Sequence, residues 1–144
     1  MNDDVTLATD IMALAGFLRR LFDSVRESQQ ISATHFFVLS TLAQRGSLKM
    51  AELTALLDIA KGNLTYHVDR LESAGLVLRV PSPEDRRITY LQLTPAGYEQ
   101  HASVVGELRS RLERLADHIP AADLNTIQAG LALLMAHAGH LELP

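Results

Sequence analysis

The apolar residues of this 144-residue chain change their spacing along the sequence, and that change limits the folds available to it. Up to Gly75 they recur every three or four residues, which is the period of an amphipathic helix. The next two apolar runs, residues 76–80 ("LVLRV") and 88–93 ("ITYLQL"), alternate instead and are rich in Val, Ile, Leu and Tyr, as strands are. After Thr94 the helical spacing returns. The pattern therefore predicts a mainly α fold with a small β-hairpin.

The helical segments have recognisable ends. Ser32 is a suitable N-cap for a second helix, and Gly46 is a suitable stop for it. A short helix ("MAELTALL") and a longer one from Asn63 to Gly75 follow, joined by a few turn residues, which is the helix-turn-helix arrangement. With the hairpin behind it, this segment predicts a winged helix over about residues 33–94. Further helices are expected at about residues 5–28, 95–118 and 120–140, and residues 1–144 are expected to form a single domain.

Charge and composition exclude several classes of protein. The chain has no cysteine and a net charge of −4, but residues 45–98 carry seven Lys or Arg against six Asp or Glu. A positive middle segment is a weak indication of a nucleic-acid partner. No apolar run is long enough to cross a membrane, and the acidic N-terminus is unlike a signal peptide, so a cytoplasmic protein is expected. No Gly-rich phosphate loop, Ser-centred elbow or apolar carboxylate pair indicates an enzyme.

Two motifs resemble those of a known family. The segments "NLTYHVDRLESAGLV" and "DRRITYLQLTPAG" are similar to the recognition helix and the wing of the MarR (multiple antibiotic resistance regulator) family. The resemblance extends over essentially the whole chain. It implies a homodimeric transcriptional regulator, more often a repressor, on a pseudo-palindromic operator in double-stranded DNA. It also implies a small aromatic or otherwise apolar effector.

The candidate DNA-binding residues lie on the fourth helix and in the hairpin. A recognition helix enters the major groove, and the wing reaches the backbone or the minor groove. Side chains outside the apolar stripe of the fourth helix can therefore face DNA, although Tyr66 and His67 could instead pack against the wing. The family commonly has an arginine at Tyr66 and a capping Ser or Thr at Ala60. The candidates are Lys61, Asn63, Thr65, Tyr66, Arg70, Asp85, Arg86 and Arg87, and Arg79 is a further candidate for a phosphate contact.

The hairpin tip has a specific role in the family. The resemblance implies that Arg87 enters the minor groove and that Asp85, two residues earlier, orients it. A guanidinium suits the negative potential of a narrow minor groove. The alternative is a solvated hairpin tip with a local ion pair, which contributes little to stability.

The outer helices carry apolar faces that are extensive for a domain of this size. The resemblance implies that they build a two-fold dimer, and burial against a second copy is physically reasonable. The alternative is that they only cover the winged helix. The implied effector would bind between these helices and the winged helix. Phe17, Phe22, Phe36 and Leu112 are the candidate pocket residues, although they are equally suitable as core residues.

Six histidines raise the question of a metal site. His137 and His140 are three residues apart, but few carboxylates lie near them and no thiolate is present. We therefore predict no metal and no other cofactor. A metal-responsive regulator and a winged helix that binds another protein instead of DNA remain the alternatives.

Overall fold

The computed structural model describes the chain from residue 2 to residue 138, with side chains described from residue 6. Helices dominate this range, and three short strands form one small sheet. The elements in chain order are α1 (Asn2–Ser28), α2 (Ala33–Arg45), β1 (Leu48–Lys49), α3 (Met50–Leu57), α4 (Lys61–Ser73), β2 (Val77–Pro81), β3 (Thr89–Leu93), α5 (Pro95–Ala116) and α6 (Ala121–Ala138). The predicted mainly α fold with a β-hairpin wing is confirmed.

The wing, which comprises β2, β3 and the loop between them, belongs to a three-stranded antiparallel sheet in the order β1-β3-β2. The sequence pattern missed β1, because two residues are too short to express an alternating period. Leu48 pairs with Leu91 in this added strand. The apolar run that predicted the first strand of the hairpin ends at residue 80. Pro81 is instead the last residue of β2 and pairs with Thr89, which an edge strand tolerates.

The helix ends follow the predicted capping residues. The hydroxyl of Ser32 accepts a hydrogen bond from the backbone N–H of His35 at 3.1 Å, so it caps α2 as expected. Gly46 and Gly75 follow α2 and α4 with φ values of 77° and 73°, which favour glycine. The helix α4 begins at Lys61, two residues before the predicted Asn63, and Ala60 offers it no side-chain cap.

The core forms around α4 and the helices before it. Leu64, Val68 and Leu71 of α4 are at most 1% exposed. They share one hydrophobic cluster with α1, α2, α3, the sheet and the first half of α5. Other members of this cluster are Val25, Val38, Leu39, Leu42, Leu53, Val77, Leu91 and Val104. One face of α4 is therefore fixed in the core, and its opposite face remains outside.

The start of α5 packs closely against the backbone of Leu76, the residue before β2. The hydroxyl of Thr94 accepts from the N–H of Gly97 at 3.0 Å and donates to the carbonyl of Gly75 at 2.6 Å, as an N-cap and a tie to the end of α4. A Cβ at Gly97 would lie 2.1 Å from the carbonyl oxygen of Leu76. Glycine is required here because any side chain would separate α5 from the backbone beneath it.

The chain divides into two compact units, one reaching to Leu108 and one starting at Arg109. The first contains the winged helix. The second contains α6, which buries none of its residues within the chain. Its large apolar residues Ile127, Leu131 and Leu134 are 44–46% exposed. No helix in the described part of the chain combines the length and apolar character that a membrane crossing requires.

Candidate nucleic-acid interface

The outward face of α4 carries most of the predicted DNA-binding residues. Lys61 and Asn63 are exposed in its first turn. Because no side chain caps this end, the first backbone N–H groups of α4 are available to an anion such as a phosphate. Thr65 is half-buried, and its hydroxyl donates to the carbonyl of Lys61 at 2.8 Å. Its methyl group is then the part of Thr65 that is better suited to a base edge.

Tyr66 and Arg70 form a pair on the same face. A guanidinium nitrogen of Arg70 donates to the Tyr66 hydroxyl at 3.4 Å, and its central carbon lies 5.7 Å from the centre of the ring. Tyr66 is 55% exposed, which leaves the ring available for an external contact. The ring contacts of His67 are with Tyr66 and with His35 on α2. His67 therefore contributes to the packing of α4 on α2.

The tip of the wing is an ordered turn. A carboxylate oxygen of Asp85 accepts from the backbone N–H of Arg87 at 3.0 Å. The hydroxyl of Ser82, itself 6% exposed, accepts from the N–H groups of Glu84 and Asp85 at 3.3 and 3.4 Å. These contacts fix the backbone of the tip, while the side chain of Arg87 is 94% exposed.

Asp85 also lies beside the guanidinium of Arg87. The Nε of Arg87 is 3.8 Å from the carboxylate oxygen of Asp85, which is at the outer limit of an ion pair. The shorter contact is the one to the backbone N–H. Asp85 therefore sets the turn from which Arg87 projects at least as much as it holds the guanidinium. Arg86 is exposed next to it.

A cationic cleft separates the wing from the helix-turn-helix. Its volume is about 490 Å³, and Lys49, Lys61 and Arg87 lie among the residues that line it. Met50, Ala51, Thr54, Ile88 and Thr89 complete the lining. The chain has no lysine other than Lys49 and Lys61, so both lysine ammonium groups are at this cleft.

Lys49 is a functional candidate that the sequence pattern missed. It ends β1, a strand too short to detect, and its ammonium lies 5.8 Å from the centre of the Tyr90 ring on β3. Its backbone N–H donates to Glu52 at 2.7 Å, which fixes the start of α3. The sequence did contain a signal for Lys49: the chain has only two lysines, and both lie in the positive segment, residues 45–98.

Arg79 is not arranged to contact phosphate. It forms ion pairs with Asp69, at 2.7 Å, and with Glu72, both on α4. The hydrogen bond that the guanidinium of Arg79 donates to Asp69 is the main reason that the pKa of Arg79 is raised. The expectation of a phosphate contact is therefore corrected: Arg79 joins β2 to α4 and has its charge balanced within the protein.

The four predicted pocket residues occupy different environments. The rings of Phe22 and Phe36 pack at 5.0 Å between centroids, and Phe36 is 9% exposed as part of the core. Phe17, on α1, is 39% exposed. Leu112 belongs to the second unit and is 41% exposed. Phe22 and Phe36 are therefore in contact, and the effector pocket stays a prediction.

No cluster of three or more His, Asp or Glu side chains suited to a metal ion occurs among the residues that the structure describes. His140 lies outside the described residues. The Nδ1 of His137 is 2.8 Å from the carbonyl oxygen of Leu133 in its own helix. That the protein binds no metal is therefore still a prediction.

The helix-turn-helix, the paired wing and the cleft between them define a winged-helix protein. Residues 31–89 match the MarR family. The regulator PecS of Dickeya dadantii is 36% identical over 116 residues, covering 74% of this chain and 70% of PecS. The chain belongs to the MarR family.

A second sequence relative and a solved structure are also similar to this chain. The transcriptional repressor MdtR of Bacillus subtilis is 35% identical over 71 residues, which cover 49% of this chain and 46% of MdtR. A MarR family protein from Bacillus stearothermophilus shares the fold with a TM-score of 0.87 over 96% of both chains, at 20% identity. The chain spans about half the length of several curated relatives, from 46% of MdtR to 61% of MhqR.

Proposed function

We propose that the protein is a transcriptional regulator that binds double-stranded DNA through α4 and the wing. The observation that carries this proposal is the cationic cleft. In a chain of net charge −4, both lysines and Arg87 line one cleft beside the exposed face of α4. A structural core needs no such concentration of positive charge, whereas a DNA backbone is bound by groups of this kind.

The two parts of the interface have different roles in this proposal. An α-helix fits the major groove, so Asn63, Thr65 and Tyr66 on the outward face of α4 meet base edges. Tyr66 donates one hydrogen bond or packs on a thymine methyl, and it lacks the fork that binds guanine at two points. Lys49 and Lys61 contact phosphates, and the exposed Arg87 reaches the minor groove beside them.

A homodimer is the second element of the proposal. The face of α6 that carries Ile127, Leu131 and Leu134 is exposed within the chain. On α1, Leu7, Ile11 and Leu14 are 41–54% exposed as well. Apolar faces of this extent are usual at interfaces and uncommon on free surfaces. A two-fold dimer of this chain presents two α4 helices, which matches a pseudo-palindromic operator.

Repression and an apolar effector complete the proposal. Membership of the MarR family and the similarity to the repressor MdtR support repression. The aromatic cluster of Phe22, Phe36 and Phe37, with ring centroids 5.0–5.7 Å apart, lies where α1 meets α2. A small aromatic molecule that inserts among these rings would alter the packing that supports the winged helix.

The test is duplex binding by fluorescence anisotropy with the full chain. Promoter DNA flanking its own gene is compared with a scrambled duplex of equal length at several salt concentrations. We expect preference for the promoter duplex and a slope of log K against log salt of about −0.9 for each phosphate contacted. A flat salt response would contradict the role of the cationic cleft. Absence of binding to any duplex would favour a winged helix that recognises another protein.

A further inference from the structure

Two histidine rings meet where the recognition helix packs on α2. His35 lies in the first turn of α2 and His67 in the middle of α4. Their ring centroids are 5.1 Å apart, and the planes are nearly perpendicular, at 83°. One nitrogen of each ring, Nε2 of His35 and Nδ1 of His67, is buried without a hydrogen-bond partner. Buried polar atoms normally have partners, so this pair calls for a physical reason.

The surroundings of His35 disfavour a positive charge. Its pKa is lowered by burial first, and then by His67 and the guanidinium of Arg70. The N-terminal turn of a helix also disfavours cations, and His35 is the third residue of α2. The groups that face it from the α1–α2 link and from α5 include Gln29, Gln30 and Gln100, which are neutral.

Three carboxylates of the neighbouring elements are paired with other groups. Glu107 on α5 accepts hydrogen bonds from Ser28 and Gln29. On α4, Asp69 and Glu72 pair with Arg79. His101 of α5 stacks on Phe36, the residue after His35, at 5.9 Å between ring centroids, and burial lowers the pKa of His101 as well. No Asp or Glu is among the described residues that line the cavity at His35, so a proton there would add a cation near Arg70 without a carboxylate in that lining to balance it.

Protons from solvent can reach His35. A cavity of about 210 Å³ is lined by His35 together with the exposed residues Gln30 and Arg70. Arg70 is one of the residues assigned to DNA, and it lies three positions after His67 on α4. Residues at this spacing share a helix face, so the histidine pair and the DNA-facing pair Tyr66–Arg70 are directly connected.

We propose that the His35–His67 contact is a proton-responsive joint that holds the recognition helix in its DNA-binding position only while His35 is neutral. Protonation places a cation against Arg70 and His67 and loosens the packing of α4 on α2. The recognition helix then shifts relative to the wing, and DNA affinity falls. The effect on DNA rests on the proposed function, whereas the joint itself does not.

The direction of the pH response distinguishes this joint from general electrostatics. Acidification makes any protein more positive, so a general charge effect strengthens DNA binding as the pH falls. The joint predicts weaker binding instead. Since the pKa of His35 is lowered from 6.5 in the folded protein, the unfolded chain binds more protons than the folded chain just below that pH. Stability therefore decreases as the pH falls below about 6.5 and levels off below the lowered pKa of His35.

The test uses the full chain, the variant His35→Phe and the control His118→Gln. Phenylalanine keeps a ring against His67 but takes no proton, and His118 is an exposed histidine of the second unit. Between pH 7.5 and 5.5 at constant ionic strength, we expect wild type and the control to lose affinity for a bound duplex by roughly fivefold, a modest coupling between two sites. His35→Phe should keep or increase its affinity over the same range.

Two measurements without DNA keep the joint testable if no duplex is bound. Denaturant unfolding should show a loss of stability at low pH that is larger in wild type than in His35→Phe. His101 contributes the same pH-dependent loss to both proteins, because its pKa is also lowered. The ring protons of His35 in NMR should titrate below 6.5. Parallel unfolding profiles, or titration of His35 at or above 6.5 from a proton shared with His67, would overturn the joint. Binding that is absent at every pH, with the unfolding difference intact, would overturn the proposed function alone.

Discussion

The helices α4 and α6 have the same spacing of apolar residues, but the apolar stripe of α4 is buried and that of α6 is exposed. The stripe of α4, Leu64, Val68 and Leu71, is at most 1% exposed. The stripe of α6, Ile127, Leu131 and Leu134, is 44–46% exposed. The first stripe is covered by the chain's own elements, and the second is not. An amphipathic pattern therefore specifies that a face needs a partner, but it leaves open whether that partner belongs to the same chain.

The largest expected effect separates the two helices by stability. Leu64→Ala should lower the free energy of unfolding by about 2–5 kcal/mol, because it removes buried methyl groups and leaves a cavity in the core. The matched control is Leu133→Ala on α6, where the side chain is 64% exposed and lies off the stripe. It should change stability by about 0.5 kcal/mol or less. Denaturant unfolding measures both, and equal losses would contradict the comparison.

The stripe of α6 should matter for self-association instead. Leu131→Glu would place an unpaired carboxylate in an apolar interface. We expect roughly 100-fold weaker dimerisation, about 2.8 kcal/mol. Sedimentation should find wild type near twice 15.8 kDa and the variant near 15.8 kDa. Leu133→Glu, off the stripe, should remain dimeric. A monomeric wild type would remove the basis for operator symmetry.

The exposed wing tip should affect DNA and leave stability unchanged. Arg87→Ala should weaken operator binding by about 1–3 kcal/mol, the scale of one good contact. The fold should survive, because the side chain of Arg87 is 94% exposed and adds nothing to the core. Anisotropy against one duplex at fixed salt, with an unfolding curve for each variant, measures the two effects separately.

Asp85 sharpens that test. Asp85→Ala should weaken binding less than Arg87→Ala does, and the double variant should be non-additive, because Asp85 acts through Arg87. Asp85→Asn keeps an oxygen for the backbone N–H of Arg87 and removes only the charge. If Asp85→Asn binds like wild type, the turn is what matters. Tighter binding by Asp85→Ala would reduce Arg87 to a simple phosphate contact.

The smallest expected effect concerns Lys49. Lys49→Gln should reduce the salt slope of duplex binding by about 0.9, the contribution of one phosphate contact. Arg109→Gln makes the same charge change in the second unit, where Arg109 pairs with Glu113 at 2.7 Å. It should leave the slope unchanged. Equal slopes for both variants would show that total charge, and not the cleft, governs binding.

What the sequence predicted well depends on neighbours in the chain. The cap at Ser32 was readable because its hydroxyl bonds to a residue three positions away. The stripe of α4 was readable because helix period is local. The outward face of α4 followed from the same period, and so did most of its candidate residues.

What the sequence missed depends on pairing between distant segments. β1 exists because Leu48 and Lys49 meet β3 more than forty residues later. The same pairing brings Lys49 to the cleft with Arg87. Arg79 was assigned to DNA because its charge is visible in the sequence, whereas its partners Asp69 and Glu72 are set by the packing of β2 on α4. The contact of His35 with His67 likewise arises only when α2 and α4 pack together.

The two lysines of the cationic cleft have a practical consequence for chemical labelling. Apart from the N-terminus, Lys49 and Lys61 are the chain's primary amines, so an amine-reactive reagent modifies this cleft. Mass spectrometry of the acetylated protein with and without duplex then gives a two-site footprint of DNA occupancy. Coupling the protein to a sensor surface through its amines would attach it by the face that we propose to bind DNA. The duplex should therefore be the immobilised partner in such measurements.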